Sequence, residues 1–201
     1  MDSKKVVFIV IGLIAILFLS FPYIKDAFLA KELDDSLILK SGEYEIGEDL
    51  PAGEYDFRVS GEITIQGKDY QDGAETKGIR LHKEELVSVE GNGEVEIFPT
   101  AKESLSKNEG GSYIISHSGN YEIGEQLESG LYEIQVQGDV GSEEEFPLIQ
   151  ILDESDTVKE SISLENDKVV SLELKEGNYL QVEKSLMREL SEITIVLTKR
   201  K

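Results

Sequence analysis

The chain lacks cysteine and tryptophan, and each absence excludes a class of site. Without cysteine there is no disulfide bridge, no thiolate metal centre, no cysteine nucleophile and no anchoring through a lipidated cysteine. Without tryptophan, a sugar-binding surface built on exposed indole rings is disfavoured. The absence of cysteine does not show whether the chain is located in a reducing or an oxidising compartment, because many exported bacterial proteins also avoid cysteine.

Basic residues are scarce. The 201 residues include 20 lysines and arginines against 41 aspartates and glutamates, a formal net charge of -21 at pH 7. Such a surface repels phosphate backbones, so the sequence argues against nucleic-acid binding. It would also repel anionic lipids and polyanionic wall polymers unless divalent cations bridged the charges.

One long apolar run stands near the N-terminus. Residues 6–24, VVFIVIGLIAILFLSFPYI, carry no charge and would form about 28 Å of helix, enough to cross a bilayer. We predict an uncleaved transmembrane anchor here, after a basic leader at residues 1–5 and before a stalk at residues 25–40 that continues the helix or extends from it. A cleaved signal peptide is the alternative, but cuts after Ser20, Ala27 or Ala30 place phenylalanine or lysine at the third position back.

The flanking lysines do not decide the orientation of this segment. A short basic leader, one apolar segment and a long remainder are typical of an exported domain. We therefore expect a single-pass protein of the cell membrane, with its N-terminus inside and its C-terminal domain extracellular.

The rest of the chain is organised around an internal duplication. Residues 41–61, SGEYEIGEDLPAGEYDFRVSG, return as SGNYEIGEQLESGLYEIQVQG at residues 118–138, with about a dozen of roughly 21 positions identical. A weaker echo aligns IRLHKEELVSVE with LELKEGNYLQVE, so that Leu81 meets Leu174, Leu86 meets Tyr179 and Val89 meets Val182. The sequence thus predicts two related units.

Each motif copy is predicted to form a strand, a tight turn and a second strand, an opening hairpin in which apolar residues alternate. The turn is a corner between the two strands, LPAG at residues 50–53 in the first copy and LESG at residues 127–130 in the second. Gly47 and Gly124 close the first strand, and we expect a positive φ or a close backbone approach there. The paired tyrosines, Tyr44 and Tyr55 in the first copy and Tyr121 and Tyr132 in the second, could form a ligand-stacking platform. Core packing is the favoured interpretation, because alternating aromatics suit a β-sandwich core.

Alternation and turn signals continue through both units. We predict a first β module at residues 41–99, a linker at residues 100–111, and a second β module at residues 112–201 with an insertion near residues 139–167. Asn92 and Gly93 indicate a hairpin between strands at residues 86–89 and 95–98. The predicted fold is all-β: two tandem β-sandwich modules, jelly-roll-like, after one transmembrane helix.

The string YEIGEDLPAGEY, partly kept as YEIGEQLESGLY, resembles a motif of small exported or membrane-anchored β modules of Gram-positive bacteria, largely of unassigned function. That resemblance implies an envelope location and an all-β fold, and it carries no catalytic residues. The second copy departs from the motif at Gln126, Glu128 and Ser129, so neither an acidic residue nor proline is required there.

Few residues suggest chemistry. His117 stands between two serines, but no nucleophile elbow accompanies it, and nothing in the spacing of His82 and His117 supports a shared metal. Two acidic runs could hold calcium, yet neither matches a known calcium loop, and solvated charge is the favoured interpretation. These runs are Glu143, Glu144 and Glu145, and Asp153, Glu154 and Asp156.

We therefore predict no catalytic, cofactor-binding or metal-binding residues. The preferred hypothesis is a non-enzymatic interaction or scaffold protein, bound to the membrane through residues 6–24 and to a protein or cell-envelope partner. The alternative is an envelope enzyme or cation-dependent ligand binder whose site lies in the second module or between the modules. A concave pocket with buried carboxylates would favour the alternative.

Overall fold

The computed structural model describes residues 36–138, 140, 146–185 and 193–200. These residues form an all-β structure, as predicted; their strands lie in two sheets, and none of the residues is helical. Within these ranges there is no helix with the length and hydrophobicity needed to cross a bilayer. The predicted anchor at residues 6–24 lies outside them.

Six strands make up the N-terminal half, residues 36–99. They are β1 (Leu37–Leu39), β2 (Gly42–Glu45), β3 (Gly53–Ile65), β4 (Lys68–Tyr70), β5 (Glu75–Leu81) and β6 (Leu86–Pro99). Eight strands make up the C-terminal half, residues 112–200. They are β7 (Tyr113–Ile115), β8 (Ser118–Glu122), β9 (Gly130–Gln137), β10 (Leu148–Leu152), β11 (Val158–Ser163), β12 (Val170–Leu174), β13 (Tyr179–Glu183) and β14 (Thr194–Lys199).

A ten-stranded sheet runs through both halves in the order β1-β6-β3-β5-β8-β13-β10-β11, with β2 beside β6 and β4 beside β3. The second sheet has the order β12-β9-β14-β7. Two hydrophobic clusters form the core. The buried residues of one cluster come from the N-terminal half, from Leu39 to Ile97 in sequence. Those of the other come from the C-terminal half, from Tyr113 to Leu197.

The two motif copies have matching strand partners. Strand β2 pairs with β6 so that Glu45 faces Leu86, and β8 pairs with β13 so that Glu122 faces Tyr179. Strand β3 places Gly53 opposite Leu81 of β5, and β9 places Gly130 opposite Leu174 of β12. These partners agree with the alignment of the weaker echo. In the region of the expected insertion, β10 and β11 stand where the N-terminal half has the end of β3 and the short β4.

The predicted opening hairpins are wrong. Strand β2 pairs with β6 and not with β3, and in the second copy β8 and β9 belong to different sheets. Each motif turn is a corner, as predicted, but it does not close a hairpin: a short parallel bridge joins Ile46 to Leu50 in the first copy and Ile123 to Leu127 in the second. All four of these side chains are buried, so the corner fills the core while it redirects the chain.

The predicted hairpin at Asn92 and Gly93 is also wrong. Strand β6 continues through both residues and pairs with β3 from Val89 to Pro99, with Gly93 opposite Gly61. A β-carbon on Gly91 would lie 2.4 Å from the carbonyl oxygen of Glu62, so glycine permits close backbone contact between two long strands. Asn92 and Gly93, which favour a turn in the sequence, thus lie within an uninterrupted strand pair.

The last residues of the predicted stalk belong to the fold. Leu37–Leu39 form β1, which pairs with the second part of β6, and Leu39 is buried. The paired structure therefore begins before Ser41. A three-residue strand is too short to show a clear alternation in sequence.

Candidate functional site

The motif tyrosines are structural residues. Tyr55, Tyr121 and Tyr132 are at most 5% exposed and lie in the two cores, which confirms the packing interpretation for these three. Each motif tyrosine donates its hydroxyl to the carbonyl oxygen four residues earlier. The pairs are Tyr44 with Lys40 (2.8 Å), Tyr55 with Pro51 (3.0 Å), Tyr121 with His117 (2.7 Å) and Tyr132 with Glu128 (2.8 Å).

The corner itself is closed by a side-chain oxygen. In the first copy Asp49 accepts from the backbone N–H of Glu45 at 2.8 Å, and in the second Gln126 accepts from Glu122 at 2.9 Å. A carboxylate and an amide serve equally because the bond needs one acceptor oxygen. The φ angles of Gly47 and Gly124 are 95° and 107°, as predicted.

The two halves meet at a parallel strand pair. Strand β5 places Thr76 opposite Ser118 and Lys77 opposite Gly119 of β8. A β-carbon on Gly119 would lie 2.0 Å from the carbonyl oxygen of Lys77. The amide of Asn120 also donates to the carbonyl of Gly78 at 2.9 Å. We call this strand pair and the side chains around it the junction.

Asp56 is a buried carboxylate beside the junction. It accepts from the Gly78 N–H and the Thr100 hydroxyl, both at 2.9 Å, and lies 3.1 Å from the Lys77 ammonium group. These contacts compensate the burial of its charge. The carboxylate lines an open groove of about 410 Å³ between the linker and both halves, together with Phe98, His117 and others. This acidic group is thus already engaged by donors of the protein.

An ionic cluster joins the turn between β10 and β11 to the N-terminal half. Asp156 pairs with Arg80 and lies 2.6 Å from Nε2 of His82. The Arg80 guanidinium stacks on the Tyr179 ring at 3.9 Å from its centroid. Burial, followed by the charges of Glu54 and Glu122, raises the pKa of Tyr179.

Asp153 of the same acidic run has a local role. It accepts from the backbone N–H groups of Ser155 and Thr157 and pairs with Lys159 at 2.6 Å. The contacts with Lys159 and Ser155 hold the pKa of this carboxyl well below its usual range. The run therefore shapes a turn and, through Asp156, contacts the junction. Glu143, Glu144 and Glu145 lie outside the described residues.

Lysines add ion pairs across the junction. Lys102 of the linker pairs with Glu122 at 2.7 Å and with Glu54 at 3.0 Å, and so connects one carboxylate of each half. These contacts raise the pKa of Lys102 above its usual range. Lys68 of β4 pairs with Glu183 of β13 at 2.7 Å, with both side chains mostly buried. The two halves are thus connected by backbone pairing and by the ion pairs of Lys102 and Lys68.

A second charge group ties the linker to the last strand. Glu128 lies 2.5 Å from the ammonium group of Lys107 and 2.9 Å from that of Lys199. These two cations lower the pKa of Glu128 to about 2.

The two histidines lie in different surroundings. His82 contacts Asp156, whereas His117 lines the groove and its carbonyl accepts the Tyr121 hydroxyl. Among the described residues, no group of three or more His, Cys, Asp or Glu is arranged to hold a metal ion.

Sequence reasoning missed a set of buried polar residues at the junction. Lys184 is only 1% exposed and donates to the carbonyl of Ser116 at 2.8 Å, and its own N–H donates to the Ser118 hydroxyl at 3.1 Å. Thr76 and Asn120 are buried there as well. Only the long-range pairing of β5 with β8 places these residues inside, so no local pattern could have indicated them.

No protein-family model matches this chain, and comparisons with curated proteins and with solved structures find no match either. The geometry of the chain therefore carries the functional argument.

Proposed function

We propose that this chain is a non-enzymatic, membrane-anchored extracellular protein whose two tandem β-sandwich modules, jelly-roll-like, act as one rigid interaction or scaffold unit. The modules correspond to the two halves described above. Residues 6–24 anchor them, and a protein or cell-envelope component is the partner.

The observation that carries this proposal is the junction. Parallel pairing of β5 with β8, the Asn120–Gly78 hydrogen bond and the Lys102 and Lys68 ion pairs fix one half against the other. Fixed relative orientation is what a scaffold requires, because a partner that contacts both modules then loses little conformational entropy on binding.

The use of the duplicated motif supports the same function. Its tyrosine hydroxyls, its Asp49 or Gln126 oxygen and its buried apolar residues are engaged inside the fold. The duplicated residues thus maintain two similar frames, and surfaces outside the motif are left for recognition. Strand β11 offers such a surface, since five of its six residues are exposed and its outer edge has no strand partner within the described ranges.

The orientation in the membrane is tested first. Because the chain has no cysteine, an introduced cysteine is the only thiol that can react. A Glu160→Cys variant on β11 should react with a membrane-impermeant maleimide on intact cells. A Ser3→Cys variant in the leader should react only after permeabilisation. The reverse pattern would contradict the proposed topology.

The interaction role is tested with the same chemistry. A photocrosslinker attached at Glu160→Cys on intact cells should capture a discrete envelope component. The matched control carries the crosslinker at Lys83→Cys, in the turn between β5 and β6, and should not capture that component. Equal capture at both positions would contradict a specific recognition surface.

A further inference from the structure

The internal junction joins two unlike edges of two similar halves. It brings together β5 of the N-terminal half and β8 of the C-terminal half. By strand partners, β8 corresponds to β2, and β5 corresponds to β12. The outer edges of β2 and β12 have no strand partner among the described residues. Each end of the chain therefore carries an unused edge that corresponds to one side of the junction, with the difference that β12 pairs with β9 in continuous register where β5 shifts register against β3 between Tyr55 and Phe57.

A contact between unlike surfaces of repeated units continues indefinitely unless its geometry closes a ring. We propose that β12 of one chain pairs in parallel with β2 of a second chain, so that chains associate head to tail through a copy of the internal junction. The register follows from the internal pair: Thr76 faces Ser118, and the corresponding residues are Val170 and Ser41. This inference goes beyond the proposed function and does not depend on location.

Exposed apolar residues lie on the strands directly behind both edges. Leu86 is 52% exposed and corresponds to Tyr179, and Leu131 is 42% exposed and corresponds to Glu54. Within the junction, Glu54 of β3 and Tyr179 of β13 flank the joined strands β5 and β8, and Arg80, the strand partner of Glu54, stacks on the Tyr179 ring. In the head-to-tail contact Leu131 of one chain and Leu86 of the next would therefore flank the newly paired strands β12 and β2, one on each side. Val169, 53% exposed, adds apolar surface next to β12.

Glycine is kept at the β2 edge where the fold of a single chain does not require it. Gly119 is needed because a β-carbon there would strike the Lys77 carbonyl. Its counterpart Gly42 has only the Tyr44 ring nearby, at 3.6 Å, which is ordinary contact. An incoming strand in the position of β5 would meet the same requirement at Gly42 as at Gly119.

Charge sets the strength of the contact. Glu43 corresponds to Asn120, and Glu173 corresponds to Arg80, so the intermolecular version brings carboxylates together where the junction has an amide and a cation. The net charge of -21 adds long-range repulsion. Association should therefore become stronger as the salt concentration rises and screens these charges. An interface held by ion pairs would instead become weaker.

Disulfide crosslinking of the full-length chain in detergent solution tests the register. Chains with Ser41→Cys and chains with Val170→Cys should give a crosslinked dimer when mixed and oxidised, because paired strand positions fall within disulfide reach. Neither variant should crosslink alone, and the yield should rise with salt. Val158→Cys on β11 replaces Val170→Cys as the matched control and should not crosslink to Ser41→Cys.

A second measurement follows association without cysteine. Leu86→Asp and Leu131→Asp should each weaken concentration-dependent association, measured by sedimentation, by about tenfold, since each replaces apolar surface beside the contact with a carboxylate. Val158→Asp should leave it unchanged. A mixture that does not crosslink at any salt concentration would overturn the proposal, as would crosslinking of either variant alone to the same extent, which indicates a symmetric dimer.

Discussion

Replacement of Gly119 by alanine tests the junction most sharply. The new β-carbon would lie 2.0 Å from the Lys77 carbonyl oxygen, where contacts under 3.0 Å essentially never occur, so β5 and β8 must separate by at least about 1 Å. Gly119 has a φ of 147°, which strains alanine by about 1 kcal/mol; two backbone hydrogen bonds lost at about 1 kcal/mol each bring the cost to roughly 3 kcal/mol. The first motif copy supplies the control: Gly42→Ala meets only the Tyr44 ring at 3.6 Å and should cost under about 0.5 kcal/mol.

The assay is thermal unfolding of the full-length chain, followed by circular dichroism at low concentration. Gly119→Ala should lower the unfolding midpoint by roughly 6–12 °C in a chain of this size, and Gly42→Ala by very little. Equal midpoints for the two variants would refute the close approach of β5 and β8, because the same substitution would then have the same surroundings in both halves.

Three further outcomes are expected. Tyr132→Phe should destabilise the chain by about 1 kcal/mol, because it removes the hydroxyl bond to Glu128 inside the core; Tyr44→Phe, at a more exposed site, should cost less, and the reverse order in urea unfolding would contradict the core role. Glu128 has its pKa lowered from 4.5 to about 2, so its charge stabilises the fold above pH 4.5 and that contribution is lost as the pH falls towards 2. A Glu128→Gln variant should accordingly lose less stability than the parent over that range, and identical pH profiles would count against the ion pairs. Millimolar calcium should leave the melting temperature unchanged, whereas a clear rise would favour the cation-dependent alternative.

The duplication made the class of fold and many of the strands predictable. Residues that alternate in sequence, such as Tyr55, Phe57 and Val59, face one core as their period implies. The roles of Gly47 and Gly124 could also be predicted, since closing a strand at a corner often needs a positive φ.

Topology was harder to predict, because one local signal fits two structures. Asn92 and Gly93 favour a hairpin but also permit a long strand to pass a close neighbour, and only the partner strand β3 decides between them. The motif corner had the same ambiguity: a strand, a turn and a strand describe both a hairpin and a change of sheet.

The junction was beyond sequence reasoning for a related reason. Parallel pairing of β5 with β8 joins residues some forty positions apart in sequence, and nothing local marks Thr76, Asn120 or Lys184 as buried. In the sequence, the acidic run at residues 153–156 suggests a calcium site, whereas the contact of Asp156 with Arg80 depends on that pairing.

The most direct test of the account is the nuclear Overhauser effect between the backbone protons of Lys77 and Gly119 in the isotope-labelled full-length chain. Parallel pairing of β5 with β8 predicts a strong cross-peak between them. If that cross-peak is absent while the cross-peaks between β3 and β5 and between β8 and β13 are present, the two halves are not joined as described.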